Sequence, residues 1–386
     1  MKRLHIYLII YIAALGFASC RHHHDDAEPR QAVRTVIIYM MAENSMSRYL
    51  QTDIGEMVSA KAKVPDSVNF IIYKDDVSQP CIMQLTARNG LHTLYTYPED
   101  HLSTDSTEML QNLRRIISEF PAKHYSLDFW SHANGWIPRR KTLGVDNGQN
   151  TTSNIGFAMN ITELRWTLEQ LPHIESIFFD ACAMQDIETA YELRHVTDWI
   201  VGSPAEIPGP GAPYSTILPY LCAGDPVGLA RAYHDYYPNN HDWPFGGVLI
   251  SAIRTDGLDH LARATRRIVP SLFGNRIDVP TDGFQWYISE YASFTYCYDM
   301  MTTFYRLLPE DEFAQWRTAF DEAVPCRMTT PRWHANWCSD TAVRDTAHCG
   351  VISMYVPNSK DDKAGWPQAL HQMQWYKAAG WDETGW

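Results

Sequence analysis

Several absences narrow what this chain can be. Its eight cysteines include no CxxC pair and are irregularly spaced, which excludes a zinc ribbon. No basic cluster is large enough for a nucleic-acid footprint, and the formal charge is −13. No nucleic-acid partner is expected, whereas an acidic body mildly favours cationic ones. No unit recurs at a fixed period, which excludes a solenoid or propeller. The acids Asp75, Asp76, Asp146 and Asp186 are scattered and form no EF-hand loop, so no metal ligands are assigned. The apolar run at residues 4–15 falls short of the roughly 20 residues that a membrane span needs.

That run has a different use. Lys2 and Arg3 precede it, and Ala18 and Ser19 lead from it to Cys20. A charged start, a short apolar core and small residues before a cut describe a secretory signal. The tetrapeptide Phe17-Ala18-Ser19-Cys20 resembles a bacterial lipobox, with Phe in place of the usual aliphatic residue. The resemblance implies removal of residues 1–19 and diacylation of Cys20. The product would be an extracytoplasmic, membrane-anchored bacterial lipoprotein, at the outer membrane or cell surface. Residues 20–32, with His22, His23 and His24, read as a polar tether. In an oxidising compartment some of Cys81, Cys222, Cys297, Cys326, Cys338 and Cys349 could pair, with the last three the nearest in sequence.

The 386 residues suffice for one large core, or a core with a smaller lobe. Apolar runs at 33–41, 68–73, 81–86, 125–130, 175–179, 199–202, 247–253 and 350–356 have the character of strands buried on both faces. Helical patterns at 47–63, 107–120, 161–171, 184–194, 226–237 and 258–269 lie between them, with Asp105 and Asn160 as N-caps. Strands alternating with helices predict an α/β/α sandwich with a mostly parallel central sheet over 33–255. Residues 270–345 are rich in aromatics and Pro, and residues 256–386 read as a mainly helical sub-domain set against the sheet. Its strand at 350–356 would return to the sheet.

Two strand ends carry the chemistry. The first reads Asp128-Phe129-Trp130-Ser131-His132-Ala133-Asn134-Gly135-Trp136 and the second Phe178-Phe179-Asp180-Ala181-Cys182-Ala183-Met184. Open α/β sheets gather ligands at the carboxyl ends of their strands. A cysteine and a histidine delivered there from separate strands suit nucleophilic catalysis, in which a thiolate attacks while imidazole takes and returns the proton. A helix starting at Met184 would favour the thiolate through its dipole.

The segments SHANGW and FDACAMQDIETAYEL resemble the His and Cys motifs of the clostripain-like cysteine peptidases, relatives of caspases. The segments at 202–214 (GSPAEIPGPGAPY) and 350–357 (GVISMYVP) also resemble that family. The 50 residues from His132 to Cys182 are close to the interval in caspases. The resemblance spans roughly residues 33–357 and implies a caspase-like sheet with His132 and Cys182 as the dyad. It also implies an oxyanion donor in the backbone N–H after the histidine. That residue is Ala133 here, where the family usually has Gly; a positive φ at this position would strain it.

Asp180 lies two residues before Cys182 and shares its strand face, so the resemblance places it in the pocket for an Arg or Lys before the scissile bond. Glu206, in the Pro/Gly-rich loop with Gly209, Gly211 and Pro213, is a second acid for basic side chains. The substrates implied are peptides or proteins cut after Arg or Lys through a thioester. Arg139, Arg140 and Lys141 are self-cleavage candidates, because relatives can mature by cutting themselves between the two motifs. No cofactor is expected, although calcium dependence is known in parts of the family. Two other functions fit the same residues: a catalytically degenerate surface lipoprotein that binds peptides, and a transpeptidase using the same dyad.

Overall fold

The computed structural model describes residues 31–137, 142–148, 156–237, 247–290, 294–335 and 341–386. The leader, Cys20, the histidines at 22–24, Arg139, Arg140, Lys141 and Cys338 lie outside them. In chain order the first strands are β1 (Ala32–Met41), β2 (Val68–Asp75), β3 (Cys81–Thr86), β4 (Gly90–Thr96), β5 (Ala122–Trp130), β6 (Leu143–Asp146) and β7 (Phe157–Met159). They continue with β8 (Ile174–Asp180), β9 (Thr197–Gly202), β10 (Leu249–Arg254), β11 (Trp286–Glu290), β12 (Phe294–Asp299), β13 (Cys326–Thr329) and β14 (Ser353–Tyr355). Nine of them form one sheet in the order β13-β10-β9-β8-β5-β1-β2-β3-β4. The contiguous strands β9, β8, β5, β1 and β2 are mutually parallel, and the antiparallel pairings lie toward the two edges.

Alternation along β1 divides the core. Ile37, Tyr39 and Met41 enter one apolar cluster, and Val36, Ile38 and Met40 enter the other. Strands buried on both faces need helices on both. The first face is covered by α2 (Ser106–Glu119), α3 (Ile161–Leu168) and α4 (Ile187–Leu193), and the second by α1 (Ser47–Ser59), α5 (Tyr214–Ala223) and α6 (Pro226–Tyr236). The expected α/β/α sandwich is the fold found. Two expected caps are in place: Asp105 accepts from the N–H groups of Thr107 and Glu108, and the Asn160 N–H donates to Glu163.

The chain does not divide near residue 255. Residues 32–386 make one unit, and Ile200 and Ile253 share a cluster with Phe304, Trp316, Trp375 and Trp381. The aromatic-rich segment is therefore part of the main core rather than a separate lobe. Its strand is also placed differently from expectation. β14 pairs with β12, and β12 with β11, in a separate antiparallel sheet. Asp299 explains why the chain turns there. It accepts N–H groups of Gly350 and Val351 at 2.8 and 2.9 Å and the Tyr287 hydroxyl at 2.6 Å, fixing the turn before β14. The described cysteines, including Cys326 and Cys349, carry free thiols. Among the described residues no helix is long and apolar enough to cross a membrane.

Candidate active site

Strand register brings the two motifs together. β5 and β8 run parallel with Trp130 opposite Asp180. Each chain then continues two residues past that pair, to His132 on one strand and Cys182 on the other. Adjacent strands lie about 4.8 Å apart, so the two residues leave the sheet side by side. Their loops touch: a Cβ added to Gly135 would sit 3.0 Å from the Ala183 carbonyl oxygen and 3.3 Å from Asp186 Oδ2. Gly135 also has φ +75°, so this position excludes side chains twice over. Both His132 and Cys182 are half-buried.

The histidine loop is pinned from three directions. Ser131 Oγ donates to the Met41 carbonyl at 2.8 Å, the Gly144 N–H donates to the His132 carbonyl at 2.9 Å, and the Asn134 N–H donates to the Thr142 carbonyl at 3.0 Å. The imidazole Nε2 lies 3.0 Å from Ser45 Oγ. Ala133 bridges to Leu143, and the bonds flanking that bridge use the amides of Asn134 and Gly144. The Ala133 N–H therefore faces away from β6. Ala133 is not among the residues with positive φ; the left-handed residue of this loop is Gly135. An alanine fits here without strain.

The cysteine loop departs from expectation. α4 starts at Ile187 rather than Met184, with Asp186 as its N-cap, accepting from the Thr189 N–H. Residues 183–186 are drawn out of the helix by other partners. Ala183 N–H donates to the Ala205 carbonyl at 2.9 Å, and Gln185 N–H to the Ser203 carbonyl at 3.1 Å. Ala183 takes a left-handed φ of 59°. The helix therefore begins after the cysteine's own loop, and its N-terminal amides are met by Asp186. Burial pushes the Cys182 thiol up to about 12, with the charges of Glu206 and Asp180 adding to it and the Ile207 N–H opposing. That N–H lies 3.5 Å from Sγ.

Behind it lies a buried cluster of acids. Asp180 Oδ2 accepts from the Ala212 N–H and the Tyr214 hydroxyl, both at 3.1 Å, and the same hydroxyl lies 2.9 Å from Asp128 Oδ2. Trp130 Nε1 donates to Asp53 Oδ2 at 2.7 Å. Oδ1 of Asp180 and Oδ1 of Asp128 are buried without a hydrogen-bond partner among the described residues. Burial pushes Asp180 up to about 7 and Asp53 up to about 8, the Asp180 charge adding to the latter. Gly211, with φ +67°, closes over Asp180: a Cβ there would lie 2.8 Å from Oδ2. The segment 205–214 therefore contacts Cys182 and Asp180 at once. Glu206 is half-buried between the two residues that contact the cysteine loop.

The clostripain-family sequence profile matches residues 38–386. The chain belongs to the clostripain family. It is therefore a cysteine-type peptidase with the caspase-like fold described above. A secreted C11 cysteine protease from Bacteroides thetaiotaomicron, solved with an irreversible peptide inhibitor, is 28% identical; the match covers 91% of this chain and 99% of that one, with a TM-score of 0.79. An inactive zymogen of a C11 protease from Parabacteroides distasonis is 26% identical over 91% of this chain and 99% of its own, with a TM-score of 0.75. A B. fragilis cysteine protease is 30% identical over 59% of this chain and 96% of its own, with a TM-score of 0.54. No curated protein is detectably similar.

The clostripain-family motifs in the sequence point to His132, Cys182 and Asp180, but not to their surroundings. Ser45, Asp53, Asp128 and Tyr214 reach the site from β1's end, α1, β5 and α5. Asp128 and Tyr214 fall inside the quoted motif segments without a role being read for them, and Ser45 and Asp53 lie outside any such segment. The acids expected to be scattered also resolve differently. Asp76 is tied to Lys74 and Ser78, and Asp186 caps α4. Asp75, however, comes together with Glu43 and Asp100, with ligand oxygens all within 4.8 Å of one another.

Proposed function

We propose that this peptidase is an endopeptidase cutting after Arg or Lys, with His132 and Cys182 as its dyad and Asp180 receiving the basic side chain. The observation that carries the reading is the shared register: both residues stand two steps past one paired position, in loops that touch. His132 takes the thiol proton as Sγ attacks the scissile carbonyl carbon. The C–N bond then breaks, and His132 returns the proton to the departing amine, leaving a thioester that water hydrolyses. The N–H of Ala133, directed away from the ladder, stabilises the oxyanion. Asp180 Oδ1, buried and unpartnered among the described residues, offers a charge-assisted bond to guanidinium or ammonium, and Glu206 adds a second acid at the pocket's edge.

A thiol pushed up to about 12 suits an intact chain at rest. Self-cleavage after Arg139, Arg140 or Lys141 would free the loop that follows the His motif, and the zymogen solved for the Parabacteroides relative fits such a step. We also read Cys20 as a lipidation site that anchors the protein outside the cytoplasm; the Bacteroides relative is described as secreted.

A fluorogenic peptide ending in Arg or Lys tests the reading. Wild type should turn it over and yield fragments cut near 139–141. Cys182→Ala should do neither, with losses of at least about a thousandfold. Turnover that survives in Cys182→Ala rejects the dyad. A folded wild type inert on a broad peptide panel would instead mark a peptide-binding relative that has lost catalysis.

A further inference from the structure

Three neighbouring strand ends meet at the candidate site, and two of them carry the proposed dyad. β5 lies between β8 and β1 in the sheet, and the register sets Met40, Trp130 and Asp180 level with one another across the three strands. Beyond that line β8 delivers Cys182, β5 delivers His132, and β1 delivers the turn at residues 42–46. Ser45 is half-buried on this turn, and its Oγ lies 3.0 Å from His132 Nε2. The histidine thus stands between the strand of the cysteine and the strand that leads to the serine.

We propose that Ser45 is a positioning residue for His132: its hydroxyl accepts the Nε2–H and holds the imidazole in the tautomer whose Nδ1 lone pair takes the Cys182 proton. The two nitrogens of an imidazole point out of the ring in divergent directions, and in the neutral ring one donates while the other accepts. The hydrogen bond made at one nitrogen therefore decides the chemistry left to the other. With Nε2 engaged toward β1, Nδ1 is the atom left for the β8 side, where the cysteine stands. In the reaction a proton leaves Sγ for Nδ1 and the Nε2–H stays with Ser45. The same proton then passes from Nδ1 to the departing amine. A nucleophile, a base and a third group that orients the base make up the arrangement that activates a thiol. This inference rests on His132 and Cys182 being the dyad; the tautomer itself does not.

A group that orients another must itself be held, and the residues on either side of Ser45 hold it. Asn44 is fully buried. Its Nδ2 lies 2.9 Å from the Met41 carbonyl oxygen, 2.8 Å from that of Val145 and 3.4 Å from Ser131 Oγ. These contacts tie the turn to the end of β1, to β6 and to the residue just before His132. Asn44 Oδ1 accepts the Met46 N–H at 2.9 Å, which closes the turn around Ser45. One residue earlier, the Glu43 carbonyl accepts from the Asn147 N–H at 3.2 Å and from Asn147 Nδ2 at 3.0 Å. Fixed on both flanks, the hydroxyl sets the ring's orientation instead of following it.

The tautomer is read on full-length Cys182→Ala protein carrying nitrogen-15-labelled histidine, by imidazole NMR at a pH where the ring is neutral, with the His132 signal assigned by its loss in His132→Gln. His132 should carry its proton on Nε2 and exchange it slowly, and adding Ser45→Ala should speed that exchange at least about tenfold. A proton on Nδ1, or an exchange rate that Ser45→Ala leaves unchanged, overturns the assignment. Should Ser45→Ala not fold, a slowly exchanging Nε2–H in the parent carries the point and a rapidly exchanging one overturns it. In the active enzyme, Ser45→Ala should lower kcat on an Arg-ending peptide by about 10–100-fold and change KM by less than about threefold. Ser45→Thr, which keeps the hydroxyl, should recover most of that kcat. Wild-type kcat in Ser45→Ala, or a loss just as deep in a folded Ser45→Thr, overturns the positioning role while leaving the dyad in place. An inert wild type would remove the dyad instead, and the tautomer measurement would stand.

Discussion

With Asp180 as the proposed acceptor of the basic side chain, specificity would be coupled to pH. The Asp180 carboxyl is pushed up to about 7 because it is buried, and Asp53, Asp128, Tyr214 and Glu56 face it without supplying a positive charge. The ionised fraction therefore grows as the pH rises through neutrality, and only the ionised form can make a charge-assisted bond with Arg or Lys. kcat/KM on an Arg-ending peptide should rise between pH 6 and 8 more steeply than on a neutral-ending one. Asp180→Asn should remove that difference and lower kcat/KM on the Arg peptide by about 10–100-fold, since such bonds contribute about 1.5–3 kcal/mol. Equal losses on both peptides would make Asp180 structural. At this scale the sequence discloses the residues that sit in strand-end motifs. It hides Ser45 and Asp53, because a side chain that arrives from a distant element leaves no local spacing to read.

Among the elements, those whose local signals agree with their surroundings are legible. β3 and the Asp105-capped α2 fall where their patterns put them. α4 starts late because the residues before it find backbone partners at 203 and 205, and tertiary contacts override helix propensity. β4 leaves no trace in the pattern because most of its residues are solvent-facing, which erases the apolar run of a buried strand. α5 is masked in the sequence because it follows a Pro/Gly-rich segment and contains Pro219, a residue that ordinarily breaks a helix. The contact between the histidine and cysteine loops can be tested directly. Gly135→Ala would put a methyl against the Ala183 carbonyl at a positive φ. It should cost about 1–2 kcal/mol of stability, seen as a lowered midpoint. Activity should fall further than the lost stability explains, because the methyl displaces the cysteine loop. A variant with wild-type midpoint and kcat would show that the loops are not so tightly apposed.

For the whole molecule, the sequence conveys the layer architecture but not its unity. A shift to aromatic-rich text at residue 256 looks like a second lobe, yet Phe304, Trp316 and Trp381 complete the core begun by β9 and β10. Composition reports what is buried, not which core buries it. The proposed membrane attachment also belongs to the scale of the whole chain. Cys20→Ala should move the mature protein from the membrane fraction to the soluble extracytoplasmic fraction, with peptide turnover in detergent unchanged. Persistence in the membrane fraction would count against a lipid at Cys20.

The even level of the two strand ends has an evolutionary corollary. The length of chain between Gly144, the last residue that pins the histidine loop, and β8 does not enter that register, so it can change without moving the strand ends. The offset past Trp130 and Asp180 has no such freedom: deleting one residue from it would swing the thiol or the imidazole to the opposite side of the sheet. Distant kin are therefore better sought by holding those two-step overhangs fixed and letting the distance between motifs drift.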